Sequence, residues 1–152
     1  MSLAAQIQDD TKTALLGGDR FVAGVLRNLK AAILNEEVAS GKRDEGLSDA
    51  EIEKIIAREV KKRRESIKLY EENSRPELAE EEKKEISVIE KYLPEQLSEE
   101  DIKKTVDEII AGMGDVSMQQ MGQVIGAVKA KLGNSADGAV VAAIVKEKLT
   151  NG

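Results

Sequence analysis

Seven amphipathic segments, each bounded by helix start and stop signals, most strongly limit what this chain can fold into. Ser48 and Ser98 each stand three residues before an acidic residue, the spacing of a capping box that satisfies free backbone N–H groups at a helix start. Gly17 and Gly18 supply a stop after the first segment. Only two prolines interrupt 152 residues otherwise rich in helix-forming side chains. The pattern predicts an all-α fold.

The predicted helices fall into a group of four and a group of three. They lie near residues 3–16, 20–39, 49–73, 75–93, 99–111, 118–132 and 136–149. Pro94 biases the preceding Leu93 away from helical geometry, so we expect a domain boundary there. The sequence therefore predicts an N-terminal four-helix domain, residues 1–92, followed by a C-terminal three-helix domain, residues 93–152.

Apolar spacing predicts which face of each longer helix is buried. For the second helix the expected inward residues are Phe21, Val25, Leu29, Ala32 and Ile33. The third helix places polar Arg63 in its apolar stripe, and the fourth places Glu82 in its own. Ser74 is expected to cap the fourth helix, and Asn134 or Ser135 the seventh.

The charge balance limits the kinds of partner. The net charge is −6, and neither side of residue 93 is basic: 17 basic and 20 acidic residues precede it, and 6 and 9 follow. Indiscriminate nucleic-acid binding needs a basic footprint, so any RNA contact must use a local patch. There is no cysteine, no signal-peptide pattern and no apolar run approaching the ~20 residues that span a bilayer. These features predict a cytosolic protein without a membrane partner.

The residues for a catalytic centre are missing. Cysteine and histidine are absent, and five of the serines stand where a helix cap is wanted. No phosphate-binding G-x-x-x-x-G-K-[ST] loop occurs, and the usual zinc ligands are lacking. The sequence predicts no catalytic residue, no metal and no cofactor.

Several motifs together resemble a known family. They are residues 25–33 with Asn35-Glu-Glu37, Lys61–Ala79, Tyr92–Ser98, Met121–Gly126, Ala136-Asp-Gly138 and Ile144-Val-Lys146. Their order and their spread over nearly the whole chain resemble the GatB/YqeY family of tRNA-amidotransferase-related proteins.

The resemblance implies two helical domains and a link to translation. The C-terminal domain is similar to the tail of the GatB subunit of glutamine-dependent aspartyl/glutamyl-tRNA amidotransferase, which engages tRNA. The family also carries carbon–nitrogen ligase activity with glutamine as amide donor, without implying an active site in stand-alone members. Gln123 and Ser135 are neutral where the family often has basic residues, which removes two potential phosphate contacts.

Candidate nucleic-acid contacts cluster on and after the sixth helix. Gly122 and Gly126 lie one turn apart, where each glycine costs ~1 kcal/mol relative to alanine, so close approach of an RNA backbone or of a neighbouring helix is expected to compensate. The full candidate set is Gly122, Gln123, Gly126, Lys129, Lys131, Asn134 and Ser135.

Candidate partner contacts lie in the first domain. They are Arg27, Lys61, Arg64, Lys68 and Arg75. Salt bridges to neighbouring glutamates are the alternative explanation of these cations.

The leading hypothesis is a non-catalytic accessory protein whose tail docks tRNA or a tRNA-linked translation enzyme and whose first domain docks protein. The alternative is a helical protein-interaction module with no RNA role, and a free-standing enzyme is a third.

The predicted boundary has a direct test. Limited proteolysis should cut first within residues 93–98, because Pro94 and the following helix cap leave this segment outside both helical groups. Fragment masses from a short digestion series measure it. First cuts inside residues 50–70, with residues 93–98 intact, would contradict the boundary.

Overall fold

The structure is a computed structural model that describes residues 1–151. Its helices are α1 (Leu3–Leu16), α2 (Arg20–Ala39), α3 (Asp49–Glu72), α4 (Pro76–Ile89), α5 (Glu99–Met113), α6 (Met121–Leu132) and α7 (Gly138–Asn151). Short 3₁₀ turns lie at Glu90–Tyr92, Met118–Gln120 and Gly133–Ser135. No strand occurs within the described range. The all-α class and the seven helices are confirmed.

The helices form two compact units, each with its own apolar core. Met1–Leu93 contains α1 to α4, and the unit that begins at Pro94 contains α5 to α7. That either unit is a domain able to fold alone stays a prediction.

Isoleucine dominates the core of the N-terminal unit. Ile52 and Ile56 of α3 are fully buried, and Leu26 of α2 and Ile89 of α4 pack in the same cluster. Burying each such side chain stabilises the fold by roughly 1.5–3 kcal/mol. The backbone N–H of Leu3 also donates to Asp49 Oδ1 at 2.9 Å, which ties the start of α1 to the start of α3.

Two local expectations in this unit are wrong. Phe21 is 40% exposed, because α2 turns Val22, Leu26 and Leu29 towards the core and leaves Phe21 outside that face. Ser74 does not cap α4: it takes a left-handed φ of 57° in the turn, and Arg75 occupies the cap position without a side-chain hydrogen bond.

An ion cluster lies in the interface between α3 and α4. Arg63 Nη1 contacts Glu82 Oε2 at 3.2 Å and also pairs with Glu85. Burial raises the pKa of Glu85, Arg63 opposes the rise, and Glu82 and Glu81 add to it. The polar residues predicted in the two apolar stripes, Arg63 and Glu82, thus meet each other across the helix pair.

A second polar contact joins the end of this unit to its first helix. The Tyr92 hydroxyl donates to Asp10 Oδ2 at 2.5 Å, and the Tyr92 side chain is buried. Lys91 lies over the Tyr92 ring, 5.1 Å from its centroid, and its Nζ is 3.7 Å from Asp10 Oδ2. Burial, followed by the contact with Asp10, raises the pKa of the Tyr92 hydroxyl, so the phenol stays protonated as a donor.

The C-terminal unit packs its three helices around aliphatic side chains. Val106, Val124, Val128 and Val145 are fully buried at its centre. Asp137 begins α7 instead of Asn134 or Ser135, since its Oδ1 accepts from the Ala139 N–H at 2.7 Å. The predicted caps lie instead in the 3₁₀ turn just before it.

The Tyr92–Asp10 hydrogen bond should contribute measurably to stability. Tyr92→Phe keeps the ring but removes the phenol hydrogen bond to Asp10, which retains only the longer contact with Lys91, so we expect a loss of about 1–2 kcal/mol in the free energy of unfolding. Urea denaturation measures it. Tyr70→Phe is the matched control, because the Tyr70 hydroxyl has no side-chain partner in the described structure, and it should change stability by less than about 0.5 kcal/mol. Equal losses in the two variants would show that the bond contributes nothing.

The raised pKa of Glu85 predicts a pH effect of definite sign. A carboxyl whose pKa is higher in the folded chain binds its proton more tightly there, so its contribution to stability is full below the ordinary value of 4.5. That contribution is lost as the pH rises through the raised pKa. Lowering the pH from about 7 to about 5 should therefore stabilise the wild type relative to Glu85→Gln, as measured by urea denaturation. The exposed variant Glu65→Gln should show no such difference, and identical pH profiles for wild type and Glu85→Gln would refute the assignment.

Candidate nucleic-acid and partner surfaces

One face of α6 carries three of the predicted nucleic-acid residues. Gly122, Gly126 and Lys129 follow one another at spacings of four and three residues, and all three are exposed. No atom lies within 4 Å of the position that a Cβ would take on either glycine. Packing of a neighbouring helix in this chain therefore does not explain them.

Lys129 extends from this face towards the start of α7. A methyl group placed on Gly138 would lie 3.2 Å from both Cε and Nζ of Lys129. The N-terminus of a helix carries partial positive charge, so the ammonium group lies in a locally positive environment that favours an anion. Asp137, the cap of α7, supplies a carboxylate nearby.

Lys131 lies away from this face. It stands two positions after Lys129, a rotation of about 200° around the helix. Its Nζ is 3.4 Å from Glu108 Oε2 on α5, and both side chains are exposed. The two lysines therefore cannot contact the same phosphate group.

The other predicted residues border the face. Gln123 is exposed on the neighbouring side of α6. The Asn134 carbonyl accepts from Gln96 Nε2 at 2.9 Å, and the Ser135 carbonyl accepts from the Leu97 N–H at 2.8 Å. These bonds hold the turn after α6 against the segment that leads into α5.

The distribution of carboxylates is a sequence signal for this face that its motifs do not capture. Residues 116–136 contain no Asp or Glu, although the chain as a whole is acidic. A count of carboxylates along the chain would have identified this segment. The side chains of this segment around Gly122, Gly126 and Lys129 are all neutral or basic, and Asp137 is the first carboxylate that follows it.

The basic residues predicted as partner contacts differ in whether they form ion pairs and in which element they lie on. Arg64 Nη2 lies 3.8 Å from Glu90 Oε2 in an exposed pair. Lys61 and Lys68 are exposed on α3 and form no ion pair within residues 1–151. Arg75 is not on α3 with Lys61, Arg64 and Lys68, because that helix ends at Glu72 and the chain turns before α4. Arg27 is exposed on α2.

A shallow pocket lies between the end of α2 and the first half of α3. Its volume is about 210 Å³, below the roughly 300–1,000 Å³ typical of small-molecule sites. Two carboxylates, Glu36 and Glu51, and two cations, Lys54 and Arg58, line it. Glu51 also pairs with Lys42, whose hydrogen bond lowers the pKa of that carboxyl. The Ser40 hydroxyl at its edge donates to the Glu36 carbonyl at 2.7 Å, as a helix-end contact.

Within residues 1–151 the protein offers neither a metal-binding cluster nor a membrane-spanning helix. No group of three or more Asp or Glu side chains in this range is placed to hold a metal ion. No helix in the same range is both long and apolar enough to cross a bilayer.

Comparison with known proteins yields fungal relatives. One relative is the protein named "Altered inheritance of mitochondria protein 41, mitochondrial" of Clavispora lusitaniae. The two are 29% identical over 112 residues, which are 72% of this chain and 63% of the relative. The Kluyveromyces lactis protein of the same name is 28% identical, over 82% of this chain and 68% of its own length. The Eremothecium gossypii protein of the same name is 34% identical over 89 residues, which are 59% of this chain and 48% of the relative.

The chain thus spans about half to two thirds of the length of these relatives. Their names give no support to the cytosolic location expected from the sequence. The family comparison covers nearly the whole chain, because residues 4–149 match the YqeY-like proteins. This chain belongs to the YqeY-like family.

Proposed function

We propose that this protein is a non-catalytic, translation-linked accessory protein that docks the sugar–phosphate backbone of tRNA on the exposed face of α6. The observation that carries the proposal is the pair Gly122 and Gly126, exposed one turn apart with open space above both. The resemblance of the C-terminal unit to the tRNA-engaging tail of GatB points to the same class of ligand.

The cost of the two glycines supports an external ligand. Each destabilises α6 by ~1 kcal/mol relative to alanine, and no contact within the chain offsets that loss. A helix surface without Cβ atoms allows an extended ligand backbone to approach closely. The absence of carboxylates from residues 116–136 lowers the repulsion that the acidic chain exerts on phosphates, and Asp137 is the carboxylate that remains near Lys129.

Lys129 provides the charge contact of this proposed site. Its ammonium group reaches the start of α7, so one phosphate there would receive both the lysine and the favourable end of the helix dipole. Lys131 contributes less, because it lies on the opposite side of α6 beside Glu108. Gln123, Asn134 and Ser135 form the neutral border.

The carbon–nitrogen ligase chemistry associated with the family lies outside this chain in our proposal. The pocket between α2 and α3 is small and balanced in charge. Docking is therefore the role we assign, with glutamine and nucleotide chemistry supplied by other proteins. The composition favours the cytosol and the names of the fungal relatives favour mitochondria; the docking surface serves tRNA in either place.

A tRNA titration with single variants tests the proposal. Gly122→Leu should weaken binding at least about tenfold by keeping the backbone away from α6. Lys129→Ala should weaken it about five- to tenfold through loss of one charge contact, and Gln123→Lys should strengthen it. The slope of log affinity against log salt should be about −1 to −2, since one or two phosphates are contacted. Anisotropy at about 50 mM salt is the measurement, because low salt favours charge contacts.

Matched variants separate docking from folding. Gly112→Leu adds the same side chain to an exposed helical glycine of α5 that also has open space around it, and it should bind tRNA as the wild type does. Lys131→Ala should change affinity little. Circular dichroism establishes that each variant is folded. If Gly122→Leu and Lys129→Ala bind tRNA like the wild type, or the wild type does not bind, the chain is a protein-interaction module without an RNA role.

A further inference from the structure

The solvent face of α2 carries a regular seam that no other part of the described chain covers. Its residues recur at alternating spacings of four and three positions: Arg20, Gly24, Arg27, Ala31, Leu34 and Val38. All six are exposed, with Leu34 at 39% and Val38 at 61%. This spacing is the a/d pattern by which one helix packs along another. We call this set the α2 seam.

The shape of the α2 seam suits close contact with a helix. Gly24, Ala31 and Val38 occupy one position of the repeat, and Gly24 has open space within 4 Å of its Cβ position. Small side chains let two helices approach closely and leave holes for larger side chains of the other helix. Gly24 lowers the helix propensity of α2 by ~1 kcal/mol relative to alanine without a compensating contact inside the chain.

The charge of the α2 seam is opposite to that of the protein. Residues 20–35 contain Arg20, Arg27 and Lys30 but no carboxylate, in a chain of net charge −6, and Glu36 and Glu37 follow only at the Val38 end of the seam. All three cations are exposed, and none forms an ion pair within residues 1–151. A ligand that matches this surface therefore combines aliphatic side chains with acidic ones.

We propose that the α2 seam is a docking surface for an acidic amphipathic helix of a partner protein. Aliphatic residues of that helix pack over Gly24, Ala31, Leu34 and Val38. Its flanking Asp or Glu side chains pair with Arg20, Arg27 and Lys30. The inference places the protein-docking role of the N-terminal unit on α2, and it does not depend on tRNA binding by α6.

Charge argues against a second copy of this chain as the occupant. An antiparallel pairing of two seams, centred near residue 29, brings Lys30 and Arg27 of both copies together. In a parallel pairing, Arg20 of one copy faces Arg20 of the other, and Arg27 faces Arg27. Both arrangements concentrate like charge in the contact, which is destabilising. The exposed aliphatic side chains of Leu34 and Val38 favour protein over RNA, which offers them no apolar counterpart in its phosphate backbone.

Binding of a designed peptide tests the proposal. The probe is a fluorescently labelled helix of about three heptads with Leu at a and d and Glu at the flanking e and g positions. A second peptide replaces every Glu by Lys. The net charge of −6 attracts the Lys peptide, so preference for the Glu peptide reports the local surface alone. The full-length wild type should bind the Glu peptide at least about tenfold more tightly than the Lys peptide in anisotropy titrations.

Variants of the α2 seam give the specific readout. Arg27→Glu and Gly24→Leu should each weaken Glu-peptide binding at least about tenfold, by charge reversal and by steric bulk respectively. Gly122→Leu and Lys84→Glu are the matched controls on other exposed helix surfaces and should leave peptide binding unchanged. Circular dichroism checks that all variants are folded.

Three results would overturn the proposal. One is a wild type that fails to bind the Glu peptide or binds it no better than Arg27→Glu does. Another is a dimer in sedimentation that Gly24→Leu dissociates, which assigns the seam to a second copy. The third is a loss of tRNA affinity in Arg27→Glu with peptide binding unchanged, which assigns the seam to RNA. Loss of tRNA binding in Gly122→Leu alone bears only on the α6 face, so failures of the two proposals are distinguishable.

Discussion

The packing of α3 against α4 is the contact on which the N-terminal unit depends. It is the most extensive helix–helix contact of the described chain, and it combines buried isoleucines with the ion cluster around Arg63. With a single phenylalanine and no tryptophan, the core relies on many aliphatic side chains of similar size. Tyr92 then joins the end of this unit to α1 through Asp10, so the chain reaches Pro94 with its preceding residues held in place.

Arg63 illustrates how a charged residue fits such a core. A charge removed from water is costly unless it is paired, and Arg63 meets Glu82 and Glu85 from the facing helix. Its Nε has no partner among the described residues, so the pairing is incomplete. Desolvation raises the pKa of Glu85 despite the neighbouring arginine, and the second carboxylate, Glu82, adds to the rise. A pairing of helices that left Arg63 buried without a carboxylate would be strongly destabilising, so the cluster disfavours such alternatives.

The two surfaces of interest share one physical feature, a helix face with glycine and without carboxylates in an acidic protein. On α6 the glycines adjoin a lysine that reaches the start of α7, which suits a phosphate backbone. On α2 the glycine lies in a repeat with aliphatic and arginine side chains, which suits another helix. The difference between them lies in the neighbouring side chains: aliphatic groups repeat along α2, whereas the α6 face offers mainly backbone.

The amino-acid sequence by itself determined the all-α class, the seven helices and nearly all of their ends, because caps, glycines and prolines act on neighbouring residues. Ser48 accepts from the Glu51 N–H in the structure as its spacing predicts. Tertiary packing decided the rest. The rotation of α2 exposes Phe21 and buries Leu26, and the pairing of α3 with α4 brings Arg63 against Glu82 and Glu85. These outcomes depend on which distant side chains meet, and local spacing along one helix carries no information about the side chains that face it.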